Sequence, residues 1–369
     1  MTGRKTGAPK DASMRVLVAT LGSIGDLMPF LAAAEALRAR GHEVIIASHA
    51  GYAPLVQRAG FGFAIIWNAM PQPLDDLLEQ APQQAWARVV RDLFAPAAGP
   101  TASFIRHAAL PGNCAVLASW SAFGALEAAQ LNLPLFRACL SPHAVGEAMS
   151  APGHPSQTWL GFFPDWFAPP KPDWPDIRRT GFPAMDESLV PALDPSLEAF
   201  LSDGPAPIVF TPGSYQHRCA HFFAESLKAC KRLGARAIFL TPHAGQIPPD
   251  LPDGVMHLKY APLQRLAARA SALVHHGGIG TLAQGLRSAV PQLAVPQFFD
   301  QPDNARHLVA LGAGQALPAP DYDAVRALPI LDALVHDDAV RQRCRQIASR
   351  FQQHDPMQII CDQIEAAAR

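Results

Sequence analysis

The sequence predicts an α/β protein with two Rossmann-like, doubly wound domains that face each other across a cleft. Apolar runs with strand character alternate with helical patterns over residues 15–140, and a second alternating series covers residues 208–295. Between the two series, Pro191, Pro195 and Gly204 interrupt every regular pattern. A chain of 369 residues is long enough to bury two separate cores.

The first series opens with a buried-strand pattern at residues 15–21, a tight turn at 22–26 and a helix at 29–40, which Gly41 ends before a strand at 43–48. Further strands are expected at 115–119 and 135–140, with a helix at 123–132 between them. In such a fold, ligands bind beyond the carboxyl ends of the strands, which is where the 22–26 turn lies.

An aromatic and proline-rich segment at 141–183 follows, and it has little periodicity. A long irregular stretch in a compact domain is usually a functional loop. A packed surface loop is the alternative, and the sequence leaves both open. The aromatic residues of interest here are Trp159, Phe163 and Trp166.

The second series has strand patterns at 208–211, 236–240, 255–259, 272–274 and 292–295, with helices at 222–233 and 263–268. Two amphipathic helices close the chain at 337–352 and 357–368. We expect a disordered lead-in (1–13), an N-terminal domain (14–190), a linker (191–204), a C-terminal domain (205–352) and a final helical segment (353–369).

The most informative stretch begins at the strand 272–274 and passes through His275 and His276 into the turn GGIGT, residues 277–281, which runs directly into a helix. The first N–H groups of a helix have no internal partners and lie at its positive end, so this turn predicts an anion site. After the next strand, Asp300 and Gln301 can hold several sugar hydroxyls. A diphosphate site followed by a polyol site indicates a sugar nucleotide.

These forty residues resemble the C-terminal signature of the family 1 glycosyltransferases, which have the GT-B fold and include bacterial members that glycosylate natural products, sterols and lipids. The HHGGIGT form is locally similar to the rhamnosyltransferases of rhamnolipid synthesis. The residues at the family spacing are His276, Gly277, Gly278, Gly280, Thr281, Pro291, Pro296, Asp300 and Gln301.

The resemblance implies roles for these positions. Gly277, Gly278, Gly280 and Thr281 would hold the donor diphosphate, together with His276 and the Gly213-Ser214 turn. Tyr260 and Ala261 would bind the base and Gln284 the ribose, where plant relatives have a glutamate. Asp300 and Gln301 would bind the donor sugar. The last helix would pack back on the N-terminal domain, which would bind the acceptor.

Asp26 is the predicted general base, because a carboxylate beside the cleft can take the proton of an attacking hydroxyl. It stands in a turn that resembles the GSxGD turn of bacterial relatives; a helix N-cap role is the alternative. Plant relatives use a histidine and a supporting aspartate, but this chain has Leu21–Gly22 and Ser119–Trp120 at those places.

The remaining predictions concern His276, the acceptor and metals. His276 would donate to the leaving phosphate, unless it is a satisfied histidine at a strand end. His275 alternates to the other face of the strand and would be structural, so a metal pair is not expected. The residues expected to contact the acceptor are Ser23, Ile24, Trp120, Trp159, Phe163 and Trp166.

Composition excludes some classes. A formal net charge of −1 provides no basic stripe for a nucleic-acid partner. The six cysteines have no metal or disulfide spacing, so reduced thiols in the cytoplasm are expected. No apolar run reaches the length of a membrane span and no signal-peptide core is present at the N-terminus. The sequence leaves open peripheral contact with the inner face of a membrane.

The prediction is therefore an inverting glycosyltransferase that needs no catalytic metal or cofactor. It would move a hexose of the glucose or rhamnose class from a UDP or dTDP sugar to a hydroxyl of a hydrophobic acceptor. The alternatives are a sugar-nucleotide epimerase or hydrolase of the same fold and a non-catalytic sugar-nucleotide-binding partner. A nicotinamide oxidoreductase is disfavoured, because the first turn lacks GxGxxG.

Overall fold

The computed structural model describes residues 13–68, 85–151, 153–185, 190–213 and 218–367. Within them the chain forms two fully parallel β-sheets, each covered by helices. This confirms the predicted fold class. Most of the lead-in, residues 1–12, and Ser214 lie outside the described residues.

The first sheet has seven strands in the order β3-β2-β1-β4-β5-β6-β7. They are β1 (Arg15–Ala19), β2 (Glu43–His49), β3 (Gly62–Trp67), β4 (Cys114–Ser119), β5 (Leu135–Cys139), β6 (Thr158–Gly161) and β7 (Ile177–Arg179). The strand order reverses between β1 and β4, so the carboxyl end of β1 opens into the crevice where doubly wound folds bind ligands.

The helices of this half, in the residues that the structure describes, are α1 (Ile24–Ala39), α2 (Ala53–Arg58), α3 (Ala85–Val89), α4 (Ala95–Ala108), α5 (Glu127–Gln130) and α6 (Pro142–Ser150). A π-helical turn, Val90–Phe94, joins α3 to α4. Most of the strand and helix residues that face inward are alanine, valine, leucine, isoleucine and phenylalanine with almost no exposed surface. Burial of that apolar surface stabilises the sheet between its helical layers.

The second sheet has six strands in the order β10-β9-β8-β11-β12-β13. They are β8 (Ile208–Thr211), β9 (Ala237–Leu240), β10 (Val255–Leu258), β11 (Ala272–His275), β12 (Gln292–Ala294) and β13 (Gly314–Ala316). Its helices are α7 (Pro195–Ser202), α8 (Ala220–Leu233), α9 (Leu263–Ala267), α10 (Ile279–Arg287), α11 (Gln301–Ala310), α12 (Ala324–His336) and α13 (Asp338–Arg350).

A shared apolar cluster joins the two halves. Leu282 and Leu286 of α10 and Ile347 of α13 lie in the same cluster as Phe163 and Phe167 of the first half. The side chains that form the cleft are therefore carried by two sheets that are packed against each other.

The last helix, α14 (Pro356–Ala367), packs on α1 of the first half. Arg40 Nη1 donates to Asp362 Oδ1 at 2.6 Å and to Glu365 at 3.2 Å. His42 accepts the Met14 N–H through Nδ1 at 3.3 Å, so its Nε2–H donates to Glu365 Oε1 at 3.1 Å. Polar contacts thus hold the chain terminus to the edge of the first domain.

Two expectations about local structure were wrong. The first helix begins at Ile24, five residues before the expected start, and Pro29 lies inside it. The segment 141–183 is less irregular than expected, because it contains α6 and the strands β6 and β7 that extend the first sheet. In addition, no helix of the described residues is long and apolar enough to cross a bilayer.

Candidate active site

The loop after β1 is built around the carboxylate of Asp26. Ser23 is the N-cap of α1, and its backbone N–H and Oγ both donate to Asp26 Oδ2, at 2.6 and 2.7 Å. Asp26 therefore stands at the third helical position of a capping box and is not the N-cap. Gly22 has φ of 124°, and a Cβ there would lie 2.5 Å from Asp26 Oδ2. Only glycine fits beneath this carboxylate.

The environment of Asp26 makes it a stronger base than an exposed carboxylate. Burial raises its pKa to about 6; the hydrogen bonds from Ser23 act in the opposite direction, and the negative charge of Asp300 adds a smaller increase. At neutral pH the group is mostly ionised, and its affinity for a proton lies close to the operating pH. That combination suits a general base.

The glycine-rich turn after β11 directs backbone N–H groups toward an open site. Gly277 has φ of 85°, and Gly278 is the N-cap of α10. The N–H groups of Gly278, Ile279 and Gly280 find no acceptor among the described residues. With the positive end of the helix behind them, they can bind a diphosphate.

His275 forms a hydrogen bond with the backbone of this turn. Its side chain is fully buried, and Nδ1 accepts the Gly277 N–H at 3.1 Å. Burial lowers the pKa of His275 to about 3, with a smaller contribution from His276, so the ring is neutral. This is the structural role expected for His275.

His276 lies between two glycines. A Cβ on Gly213 would be 2.9 Å from the ring and one on Gly278 would be 2.3 Å from Nε2, so the imidazole packs against both backbones. Burial lowers the pKa of His276 to about 4. A neutral imidazole at this position has one N–H, which can donate to a phosphate oxygen beside the helix N-terminus.

Asp300 and Gln301, the two residues expected to bind the donor sugar, differ in exposure and in hydrogen bonding. Asp300 Oδ2 accepts from Asn304 Nδ2 at 2.8 Å, whereas Gln301 is only 5% exposed and its Oε1 accepts the Gln297 N–H at 2.9 Å. Burial raises the pKa of Asp300, while the Asn304 hydrogen bond, the charge of His143 and a hydrogen bond from Ser141 lower it. Asp300 is thus the more accessible polar group of the pair.

Asp300 meets the first domain directly. Ser141 is the N-cap of α6, His143 lies in its first turn, and both come from the domain that carries Asp26. Gly280 stands opposite Gly25, because a Cβ on Gly280 would lie 3.8 Å from the Gly25 carbonyl oxygen. Pro29, four residues after Gly25, has no N–H to donate to that carbonyl. The structure therefore brings the Asp26 loop, the glycine-rich turn and Asp300 together.

The residues expected around the nucleoside differ in exposure and in hydrogen bonding. Tyr260 is 73% exposed and Ala261 is buried. Gln284 donates from Nε2 to the Gly280 carbonyl at 3.3 Å, one turn earlier on α10. Thr281 is half-buried in the first turn of the same helix. An exposed aromatic ring such as that of Tyr260 can stack on a base.

The expected acceptor residues divide into two sets. Ser23 and Ile24 flank Asp26 at the start of α1, and Trp120 lies at the end of β4 with its ring 6.0 Å from Phe94. The other set comes from the 141–183 segment. Phe163 is fully buried in the core and presents no surface to an acceptor.

Trp159 and Trp166 also have other neighbours. The Arg137 guanidinium lies 4.9 Å from the Trp159 ring centre. Trp166 packs on Phe182 and Phe351, where the two halves meet. The ring contacts of these two indoles are thus with residues outside the Asp26 loop.

Sequence reasoning missed Ser141 and His143 as functional residues. A serine at a strand end followed by proline is a helix N-cap signal, which would have located α6. Nothing in the local sequence indicates that this helix faces Asp300. As for metals, no cluster of three or more acidic, histidine or cysteine side chains that could hold an ion occurs in the part of the chain that the structure describes.

The fold is that of solved GT-B glycosyltransferases. A spinosyn rhamnosyltransferase, SpnG, solved with thymidine diphosphate, superposes with a TM-score of 0.72 at 22% identity, covering 94% of this chain and 99% of that one. The glycosyltransferase VinC, solved with dTDP, gives a TM-score of 0.73 at 20% identity over 96% and 99%.

Sequence comparisons give the family. The model of the glycosyltransferase family 28 N-terminal domain matches residues 16–143, and that of the erythromycin biosynthesis protein CIII-like C-terminal domain matches residues 229–366. The O-mycaminosyltylonolide 6-deoxyallosyltransferase of Streptomyces fradiae is 27% identical over 95% of this chain and 97% of its own length. The chain has the GT-B fold and contains regions that match these two domain models, in keeping with the family 1 resemblance, and it is a glycosyltransferase.

Proposed function

We propose that this glycosyltransferase moves a hexose, with inversion and without a catalytic metal, from a nucleoside diphosphate to a hydroxyl of a hydrophobic natural-product acceptor. The observation that carries the proposal is the convergence across one cleft of three elements: the Asp26 carboxylate, the N-terminus of α10 and Asp300.

The reaction is a single displacement. The acceptor O–H bond breaks, and its proton passes to Asp26 as the oxygen forms a bond to the anomeric carbon. The bond from that carbon to the diphosphate oxygen breaks, and the diphosphate leaves with the electron pair. One displacement at the anomeric carbon inverts its configuration.

The leaving diphosphate gains negative charge as it departs. The free N–H groups at the start of α10 and the neutral imidazole of His276 stand where they can stabilise that charge. Donors fixed in advance need little reorganisation during the reaction. This arrangement supports a mechanism in which protein hydrogen-bond donors stabilise the leaving charge, as a metal ion does in other phosphate chemistry.

The site and the relatives support a choice of donor and acceptor. The thymidine diphosphate of the SpnG structure makes dTDP sugars the first donors to test, with UDP sugars second. A relative named as acting on a tylonolide favours a polyketide acceptor. Trp120, Phe94 and Phe123 form edge-to-face pairs near the Asp26 loop and would provide apolar surface for it. We place the reaction in the cytoplasm, since the six cysteines of the chain are buried thiols.

The test is a panel of dTDP and UDP hexoses, each incubated with polyketide aglycones, with products resolved by chromatography and the anomeric configuration read by NMR. A β-linked product from an α-linked donor, formed in the presence of a chelator, is the expected result. Free sugar formed at the same rate with and without acceptor would indicate a hydrolase. Nucleotide-sugar binding without turnover of any acceptor would indicate a non-catalytic partner.

A further inference from the structure

The amide of Asn304 links the two ends of the donor site. Asn304 lies in the first turn of α11 and has no exposed surface. Its Nδ2 donates to the Gly277 carbonyl at 3.0 Å and to Asp300 Oδ2 at 2.8 Å. A carbonyl and a carboxylate both require a donor, so these two contacts fix the orientation of the amide.

The contact with Gly277 sets the direction of a backbone N–H. The Gly277 N–H is held by His275 Nδ1 and the Gly277 carbonyl by Asn304. In a trans peptide the carbonyl and the following N–H point in opposite directions. Holding the Gly277 carbonyl toward α11 therefore turns the Gly278 N–H away from α11, to the side where the diphosphate would bind.

The contact with Asp300 sets the carboxylate. Asn304 and Asp300 are one helical turn apart, and the Asn304 backbone N–H also bonds the Asp300 carbonyl at 2.9 Å. With Oδ2 held by the amide, the plane of the Asp300 carboxylate is fixed, and beside the Ser141 contact the carboxylate keeps acceptor positions for a sugar hydroxyl.

The amide oxygen of Asn304 indicates that this side chain does more than fill space in the core. Oδ1 is buried and has no hydrogen-bond partner among the described residues. A buried acceptor without a donor destabilises a fold, and a leucine of similar size would fill the space without that cost. The side chain is therefore explained by its two donated bonds.

We propose that Asn304 is a positioning residue that aligns the Gly278 N–H and the Asp300 carboxylate, so that the diphosphate and the sugar of one donor are bound as a unit. The inference rests on the proposed donor site and deepens it. It assigns to Asn304 a role in discriminating between a sugar nucleotide and the nucleoside diphosphate without the sugar.

The experiment measures dissociation constants by titration calorimetry for dTDP, dTDP-glucose, UDP and UDP-glucose. The proteins are the wild type, Asn304→Leu, Asp300→Ala and the double variant. We expect Asn304→Leu to weaken the sugar nucleotide about tenfold more than the diphosphate, as the loss of bonds to a charged group implies. In the Asp300→Ala background, the leucine should weaken both ligands by the same factor.

Equal weakening of both ligands by Asn304→Leu in the wild-type background, or no weakening, would overturn the inference and leave the proposed function standing. Failure of the wild type to bind any of the four ligands would overturn both. Val309→Ala, at an exposed position on the same helix, is the matched control and should leave all constants unchanged. If the leucine variant does not fold, Asn304→Ser keeps one donor and should shift the ratio in the same direction, by less.

Discussion

Replacing Asp26 by asparagine should remove activity and stabilise the fold at the same time. Asparagine has the shape of the protonated carboxyl, and its Oδ1 can accept the two Ser23 hydrogen bonds. It lacks the negative charge that burial and Asp300 make unfavourable. A residue that is needed for chemistry but costs stability is typical of an active site.

The size of the stabilisation follows from the pKa. Burial raises the pKa of Asp26 from 3.8 to about 6, so the folded protein holds this proton more tightly than the unfolded chain. The free energy of unfolding therefore falls as pH rises through this window and stays low above it. Two pKa units correspond to about 3 kcal/mol. Asp26→Asn should regain up to that amount at pH 7.5 and almost none at pH 3.5.

The assay pairs urea unfolding at several pH values with steady-state kinetics. Loss of a general base should lower kcat about 10²- to 10⁴-fold. In the wild type, kcat/KM should fall as the pH drops from about 6 to 5, where the His276 imidazole, with a pKa of about 4, is still mostly neutral. Glu35→Gln on the same helix is the control for both measurements.

Two results would refute the reasoning. An asparagine variant with wild-type kcat would show that Asp26 does not take the proton. A variant no more stable than the wild type at pH 7.5 would show that the buried charge is not unfavourable, and the assignment of a raised pKa would then be wrong.

Three other features give measurable outcomes. Gly278→Ala would place a methyl 2.3 Å from His276 Nε2 and should weaken nucleoside diphosphate binding about tenfold. The control, Gly146→Ala, adds a methyl to open space and should leave the dissociation constant unchanged. Titration calorimetry on both variants measures the difference. Arg40→Ala breaks the ion pairs to α14 and should lower the free energy of unfolding by about 0.5–1 kcal/mol, less in high salt. Excess EDTA should leave the initial rate unchanged, and a rate restored only by added Mg²⁺ would contradict the metal-free mechanism.

Much of the fold could be predicted from the sequence, because local sequence signals agree with the strands and helices that the fold contains. The strand expected at 208–211 is β8, Ile208–Thr211, and the glycine-rich turn precedes α10 as its N-cap geometry requires. Other elements depend on tertiary contacts. The strands β6 and β7 have four and three residues, too few for a period, and they exist because each pairs with a neighbour in the sheet.

The start of α1 shows how a local signal can be misread. Proline is common in the first turn of a helix, so Pro29 suggested a start there. The capping box of Ser23 and Asp26 is the stronger signal, and it begins the helix five residues earlier. The same carboxylate therefore has a structural contact and a proposed chemical role, and the sequence presents these as alternatives.

The candidate site could be predicted one domain at a time, but the contacts between the domains could not. Nothing near Ser141 or His143 indicates that they face Asp300, because that contact depends on how two sheets pack. The same packing sets the strength of the base. Asp300 lies 274 residues after Asp26, yet its charge adds to the raised pKa of Asp26.

In the proposed reaction, the electrostatic coupling between Asp300 and Asp26 changes as the donor binds and reacts. Sugar hydroxyls that donate to Asp300 would spread its negative charge and weaken its effect on Asp26. The diphosphate at α10 gains negative charge while it leaves, and that charge raises the proton affinity of a nearby carboxylate. Asp26 would therefore become a stronger base as the glycosidic bond to the nucleotide breaks, so that proton transfer is favoured when the acceptor oxygen forms its new bond.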